Sequence, residues 1–292
     1  KPMVARNKNS FDYQIYLRNL NVYWLLKSEH NPLTMCNSPK QNWNERIKTI
    51  RLKGLRHLEN HFPTETKAFA AALLFGESGL INEETYDAYK KLSLVHILAI
   101  SGLHVGIIAG GSFYLGIRLG LTREMTKLLL MGMLPLYCIV AGGAPSVVRA
   151  CLMVMLFQLL SLGQKKLSPI ILLCTILMVL LLYNPLYLFH VGFQLSFFIT
   201  FTLLMSAKVL QRLQGSGAIV QSLAVTIICQ LCSMPIILYY FHEFSIWGFL
   251  LNVIYIPIYS ILLLPLTFAV FFLSIINAPF SDSLAILLEL LF

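Results

Sequence analysis

Residues 94–117 read LVHILAISGLHVGIIAGGSFYLGI, twenty-four positions with no Asp, Glu, Lys or Arg. About 20 apolar helical residues cross the roughly 30 Å hydrocarbon layer of a bilayer, so this stretch is long enough to be a membrane span. Further runs of this kind lie at 126–141, 144–162, 167–189, 192–210, 218–241 and 246–276. The last is long and holds Pro257 and Pro265, so it counts as two crossings or as one broken crossing. The fold class that follows is an all-α polytopic membrane bundle with seven or eight transmembrane helices, occupying residues 94–292.

Composition agrees: 57% of the 292 residues are hydrophobic and only 12% are charged, too apolar for an ordinary soluble domain. The charge is divided unevenly. Residues 1–93 hold fourteen Lys/Arg and nine Asp/Glu, and the remaining 199 hold eight and four. Two regions in different solvents are implied. Arg118, Arg123 and Lys127 follow the first span, Lys165 and Lys166 the third, and Lys208 and Arg212 the fifth. The intervening connections, with Asn184, Pro185, His242 and Glu243, carry no Lys or Arg. Basic loops collect on the cytoplasmic side, which places residues 1–93 outside the cytoplasm. The chain opens at Lys1 and closes in an apolar run, and is read as a piece of a longer protein.

The outer region begins with the aromatic stretch FDYQIYLRNLNVYW (11–24) and a basic run from Arg46 to Arg56. Residues 66–75 read as an amphipathic helix that lies at the membrane surface or, equally, covers the bundle as a solvated helix. A second short helix is expected after an Asn82 cap, with Glu83 and Glu84 in its first turn and Lys90 and Lys91 in its last. Of the cysteines, Cys229 and Cys232 have a C-x-x-C spacing but no second ligand pair nearby, so they read as packing residues and no metal or cofactor is expected.

Several residues do not belong in an inert bundle. Gly102, Gly106 and Gly110 repeat every four residues, the pattern that lets membrane helices approach closely. On a continuous helix they fall within about 80° of one another, whereas Ser101 and His104 occupy a different face. His104 is either an interhelical hydrogen-bonding residue or a path-lining one. In AGGAPSVVRA (141–150), Pro145 suits the first position of a helix, with Arg149 one turn further in. The unpaired N–H groups of that helix start, beside a full positive charge, form a site suited to an anion such as phosphate. A structural reading stands beside it, in which Arg149 caps carbonyls of a neighbouring helix or reaches the interface. Gln194, Ser196, Asn252 and Pro257 are further polar or helix-breaking positions, and Gln194 and Asn252 also read as helix-to-helix hydrogen bonders. No Asp or Glu occurs between Glu124 and Glu243, although ion-coupled permeases usually need an intramembrane carboxylate.

Four motifs, HILAISGLHVGI (96–107), GGAPSVVRA (142–150), NPLYLFHVGFQLSF (184–197) and FSIWGFLLNVIYIP (244–257), resemble in order and spacing the competence domain of the ComEC family. The stretch ARNKNSFDYQIYL (5–17) resembles the end of the extracytoplasmic OB-like region that precedes that domain. The resemblance implies a channel that passes single-stranded DNA across the bacterial cytoplasmic membrane during natural transformation. It also implies partners: the DNA, the lipid bilayer, a DNA receptor and a cytoplasmic translocase, with a homo-oligomer left open. By the same resemblance, residues 1–62 form a partial OB-like region and 63–93 interfacial helices. The family motifs fall on Ser101, Gly102 and His104; on Gly143, Pro145, Ser146 and Arg149; on Gly192, Gln194 and Ser196; and on Asn252 and Pro257. Longer members continue into a metallo-β-lactamase-like domain with an H-x-H-x-D-H motif. This chain lacks that motif, so no nuclease chemistry and no enzyme activity is expected of it.

Two other functions compete. An intramembrane hydrolase would use Ser101 as nucleophile and His104 as base, yet residues one helical turn apart are better placed for local pairing than for a shared substrate. A small-solute transporter would lack both an internal carboxylate and a clear inverted repeat.

Overall fold

Helix periodicity and terminus signals account for nearly every element in the computed structural model, which describes residues 43–164, 167–276 and 281–291. The helices are α1 (Trp43–His61), α2 (Thr64–Phe75), α3 (Glu83–Lys91), α4 (Val95–Leu98), α5 (Gly102–Arg118), α6 (Arg123–Val140) and α7 (Pro145–Leu162). They continue as α8 (Pro169–Tyr183), α9 (Val191–Met205), α10 (Ala207–Arg212), α11 (Ala218–Phe241), α12 (Trp247–Pro257), α13 (Leu264–Ile275) and α14 (Ser281–Leu291). There is no strand among the described residues. The described residues are all helical, and among them four helices are long and apolar enough to cross a bilayer, as in a membrane protein: Val95–Arg118, Pro145–Leu162, Ala218–Phe241 and Trp247–Ile275. α8 and α9 are apolar but 15 residues each, and α6 carries Arg123, Glu124 and Lys127 at its start.

The last span is one continuous helix in which a π-helical segment, Ile258–Leu263, joins α12 to α13. Pro257 lies just before this widened turn and Pro265 just after it. A proline removes one rung of the hydrogen-bond ladder, and a π-bulge re-registers the ladder around the gap.

Three expectations change. Residues 43–61, expected within the OB-like region, form α1, so the basic run lies on a helix; the stretches 5–17 and 11–24 lie outside the described residues. The helix expected at the membrane surface, α2, is instead central: nine of its twelve residues are buried. Its alanines leave no bulky face, so Leu58 and Phe62 of α1, Val270 and Phe271 of α13 and Ala285 and Leu288 of α14 all close on it. On a further side Leu73 meets Leu94, Ile97, Tyr259 and Leu263. Gly76 ends α2 in the left-handed region at φ 67°, where its N–H reaches back to Ala71 and Ala72. A Cβ there would stand 2.6 Å from the Ala141 carbonyl oxygen, so glycine both turns the chain and admits the α6–α7 loop.

The third change concerns the first span, which is broken. α4 ends at Leu98, Ala99 is extended, and Ser101 caps α5 with an extended backbone. Apolar residues on both sides of the break hide it from a hydropathy reading. The glycine face also dissolves, because a Cβ on Gly106 or Gly110 meets nothing within 4 Å among the described residues. The close approach is made by Gly102 and by Gly116, whose Cβ would lie 2.7 Å from Thr126 Cγ2 of α6. By contrast α3 matches its expectation: Asn82 Oδ1 accepts from Glu84 N–H at 3.4 Å and none of the helix is buried.

Gly116→Leu is therefore expected to overpack the α5–α6 contact by about 1–3 kcal/mol. Thermal unfolding in detergent should show a lowered Tm for it and an unchanged Tm for Gly106→Leu; equal effects would place the glycine contact elsewhere.

Candidate functional site around Arg149

Pro145 opens α7 with φ already suited to a helix, and Arg149 follows one turn later on the buried side, 7% exposed. Its Nη1 donates to the backbone carbonyl of Ser196, in the second turn of α9. The guanidinium lies 5.8 Å from the ring centroid of Phe197, within cation–π range. On its other side stands Gly102: a Cβ at that position would fall 2.9 Å from Arg149 Nη2 and 3.7 Å from Ala150 Cβ. Arg149 Nε and the Ser196 hydroxyl are buried with no hydrogen-bond partner.

The break before α5 is tied to the same place. Ser146 Oγ donates to the Ile100 carbonyl at 2.9 Å, filling an acceptor that the broken helix leaves open. The first residue of α5 and the second turns of α7 and α9 thus meet at one guanidinium. The start of α5 brings the positive end of its dipole to the guanidinium, which adds to the charge of Arg149 rather than cancelling it. The described ion pairs, Arg51–Glu77 at 3.1 Å and Lys90–Glu243 at 3.3 Å, do not involve it.

An intramembrane Arg costs about 2.5–3.5 kcal/mol on insertion scales. A hydrogen bond from a charged donor returns roughly 1.5–3 kcal/mol, so the Ser196 carbonyl accounts for the helix being tolerated. It supplies a dipole and no counter-charge. The structural reading of Arg149, capping a neighbouring carbonyl, is met in part, and a net positive charge remains beside the start of α5.

Ser101 and His104 form a reciprocal cap. The Ser101 hydroxyl accepts from His104 N–H at 3.4 Å, and His104 Nδ1 accepts from Ser101 N–H at 3.2 Å. Neither bond runs from hydroxyl to imidazole, so this geometry serves a helix start and not a nucleophile and its base. Ser101 is not a helical position at all, which replaces the expected polar helix face. His104 itself is 2% exposed.

The other expected positions separate from this cluster. Gln194 Nε2 donates to the Leu188 carbonyl at 2.7 Å and to the Tyr240 hydroxyl at 3.0 Å, joining the entry of α9 to the end of α11. Gly192 lies on the same entry, with its Cβ position 3.2 Å from the His190 ring. Gly143 is left-handed at φ 64° in the loop before α7. Asn252 on α12 is 2% exposed and its Oδ1 is unpartnered. One turn earlier, a Cβ on Gly248 would stand 2.7 Å from Gln230 Nε2 and 2.9 Å from Ser93 Cβ, so α11, α12 and the end of α3 meet tightly there. Phe197, Tyr240, His190 and Gln230 are not singled out by the sequence reading; a Gln deep in the apolar run of α11, which also holds Gln221 near its start, is the one signal for Gln230.

Ser146→Ala removes the donor to Ile100 and is expected to lower stability by about 1–3 kcal/mol. Thermal unfolding should detect it, with Ser112→Ala, which loses only a 3.8 Å contact to the Met133 sulfur, as the near-neutral control.

Comparison with known proteins places these features in a lineage. The family model described as "Competence protein" matches residues 73–292. ComE operon protein 3 of Bacillus subtilis (strain 168) is 37% identical over 280 residues, covering 96% of this chain and 35% of that protein. Recombination protein 2 of Haemophilus influenzae is 29% identical over 219 residues, 68% of this chain and 28% of that protein. An uncharacterized protein of Aquifex aeolicus is 30% identical over 159 residues, 54% of this chain and 37% of that one. The chain thus spans about a third of the length of the curated relatives it matches, and no solved structure matches it. With its family match running from the buried end of α2 through the Arg149 site to the last residue, the chain belongs to the Competence protein family.

Proposed function

We propose that residues 94–292 form part of a multi-pass channel in the bacterial cytoplasmic membrane that passes single-stranded DNA inward during natural transformation. The observation that carries this reading is Arg149, a buried cation held by a backbone carbonyl, with no ion pair among the described residues and the N-terminus of α5 beside it. A fixed positive site of that kind suits a phosphate passing through. Family membership and the competence-related relatives support the same reading. Ser101, His104, Ser146, Gln194, Ser196 and Asn252 are the proposed path-lining set, with Gly102, Gly143, Pro145, Gly192 and Pro257 shaping the backbone. The proposed activity is transport rather than catalysis. A DNA receptor and a cytoplasmic translocase are the expected partners, by resemblance.

In this reading the bundle crosses seven or eight times, with residues 1–93 outside the cytoplasm. The Lys127–Ser161 bond of 2.6 Å joins the start of α6 to the end of α7, and Lys90–Glu243 joins α3 to the α11–α12 loop, as the alternation of basic loops requires. Cysteines introduced at Arg123 and Glu243 are expected to label from opposite sides of the membrane, and labelling from one side would remove this topology.

For the channel itself, Arg149→Lys keeps the charge and loses the planar fork, whereas Arg149→Gln loses both. Transformation of a deletion strain should fall in the order wild type, Arg149→Lys, Arg149→Gln. The last is expected to fall by roughly 10- to 100-fold, the equivalent of one charge-assisted contact, at unchanged protein level. Undiminished transformation at normal level would eliminate the contact. Uptake of labelled amino acids in place of labelled DNA would point to a small-solute transporter.

A further inference from the structure

A groove of about 1020 Å³ lies between α1 on one side and α5, α6 and α13 on the other. It belongs to no part of the Arg149 site. Its volume is at the upper end of ligand pockets, which run to about 1,000 Å³. The walls from α5, α6 and α13 are almost wholly apolar, and several of their large side chains stand half exposed, including Leu115, Leu136 and Phe272. The α1 wall differs. Ile50, Lys53, Gly54 and His57 face the groove at i, i+3, i+4 and i+7, which puts the cationic Lys53 on one rim beside the His57 imidazole. No Asp or Glu lines it. Lys53 is exposed and enters no ion pair among the described residues; the adjacent acid, Glu77, is taken by Arg51. His57 is anchored through Nε2 to Ser274 Oγ at 2.9 Å, which fixes the rim against α13. Gly54 completes the shape: a Cβ there would strike the Phe75 ring at 2.3 Å, so the missing side chain brings α1 down onto the floor of the groove.

We propose that this groove is a binding site for an anionic glycerophospholipid, its acyl chains between α5, α6 and α13 and its phosphate at Lys53. An apolar slot walled by membrane helices selects a ligand that already resides in the bilayer. The one-sided basic rim selects the sign of its headgroup. A zwitterionic lipid fills the same slot but gains less at Lys53, because its own ammonium competes for the phosphate.

The site rests on the reading of α5, α6 and α13 as membrane helices, and its readout is retained lipid, so its failure leaves the passage of DNA untouched. The full chain is extracted from a bilayer of equal phosphatidylglycerol and phosphatidylethanolamine into mild detergent, purified by size exclusion, and its bound lipid measured by mass spectrometry. Wild type is expected to retain phosphatidylglycerol over phosphatidylethanolamine by about fivefold. Lys53→Glu should abolish that preference, and Lys91→Glu, the same charge change on exposed α3, should keep it. Gly111→Trp fills the groove without a clash, since a Cβ at Gly111 meets nothing within 4 Å, and should lower the total lipid retained. Each variant is checked for wild-type Tm. No preference in wild type overturns the site, as does equal loss in Lys91→Glu, which would make the preference a general effect of surface charge. A wild-type dimer that Gly111→Trp dissociates would also overturn it, because a second copy would then fill the groove.

Discussion

The bond between Arg149 and the carbonyl of Ser196 is the constraint around which the described bundle is arranged. A carboxylate in that position would hold the guanidinium more firmly and would cancel its charge. A carbonyl holds it and cancels nothing. To bring that carbonyl close, α9 must start beside α7, and to admit the guanidinium α5 must start at a glycine. Three local features of the chain serve this site: the break at 99–101, the left-handed Gly142 and Gly143, and the 3-10 turn Pro185–Phe189 each precede one of these three helix starts. A membrane span can end or break in the interior only where its freed backbone groups find partners. Ser146 on Ile100, the Ser101–His104 cap and Arg149 on Ser196 supply them.

The α1–α2 hairpin supports this arrangement from a distance. Arg51 reaches the Phe75 carbonyl at 3.0 Å and Glu77 at 3.1 Å, and Gly142 lies against the same guanidinium, where a Cβ would be 3.3 Å from Arg51 Nη2. The loop that precedes Pro145 is therefore braced by the segment that precedes the first span. α2 is buried on so many sides that α1, α13 and α14 depend on it for much of their packing. The family match begins within it, at residue 73.

Much of this was legible from residue patterns, and the failures share a cause. Span positions follow from length and hydropathy, and the α3 cap follows from Asn82 with its acidic first turn, because those signals are local. The pairing of Ser101 with His104 was readable as a local contact, since one helical turn separates them. The break that makes Ser101 a cap was not, because Leu98, Ala99 and Ile100 look the same in a helix or out of one. The spacing of Gly102, Gly106 and Gly110 says that helices can approach, but not whether one does; only the first has a neighbour in the described chain. α2 was misplaced for a similar reason. An alanine-rich helix has no strong polar face to orient it, and an even distribution of small residues is what a helix surrounded by others requires.

A site for a passing polymer has to meet a requirement that a storage site does not. Each phosphate must bind well enough to enter and weakly enough to leave for the next one, so no single contact can be deep. In the proposed reading, a guanidinium that spends one Nη1 donor on a carbonyl and keeps its charge uncancelled falls in that middle range. An Arg with all its donors free would bind a phosphate bidentately and hold it. An Arg paired with a carboxylate would barely attract one.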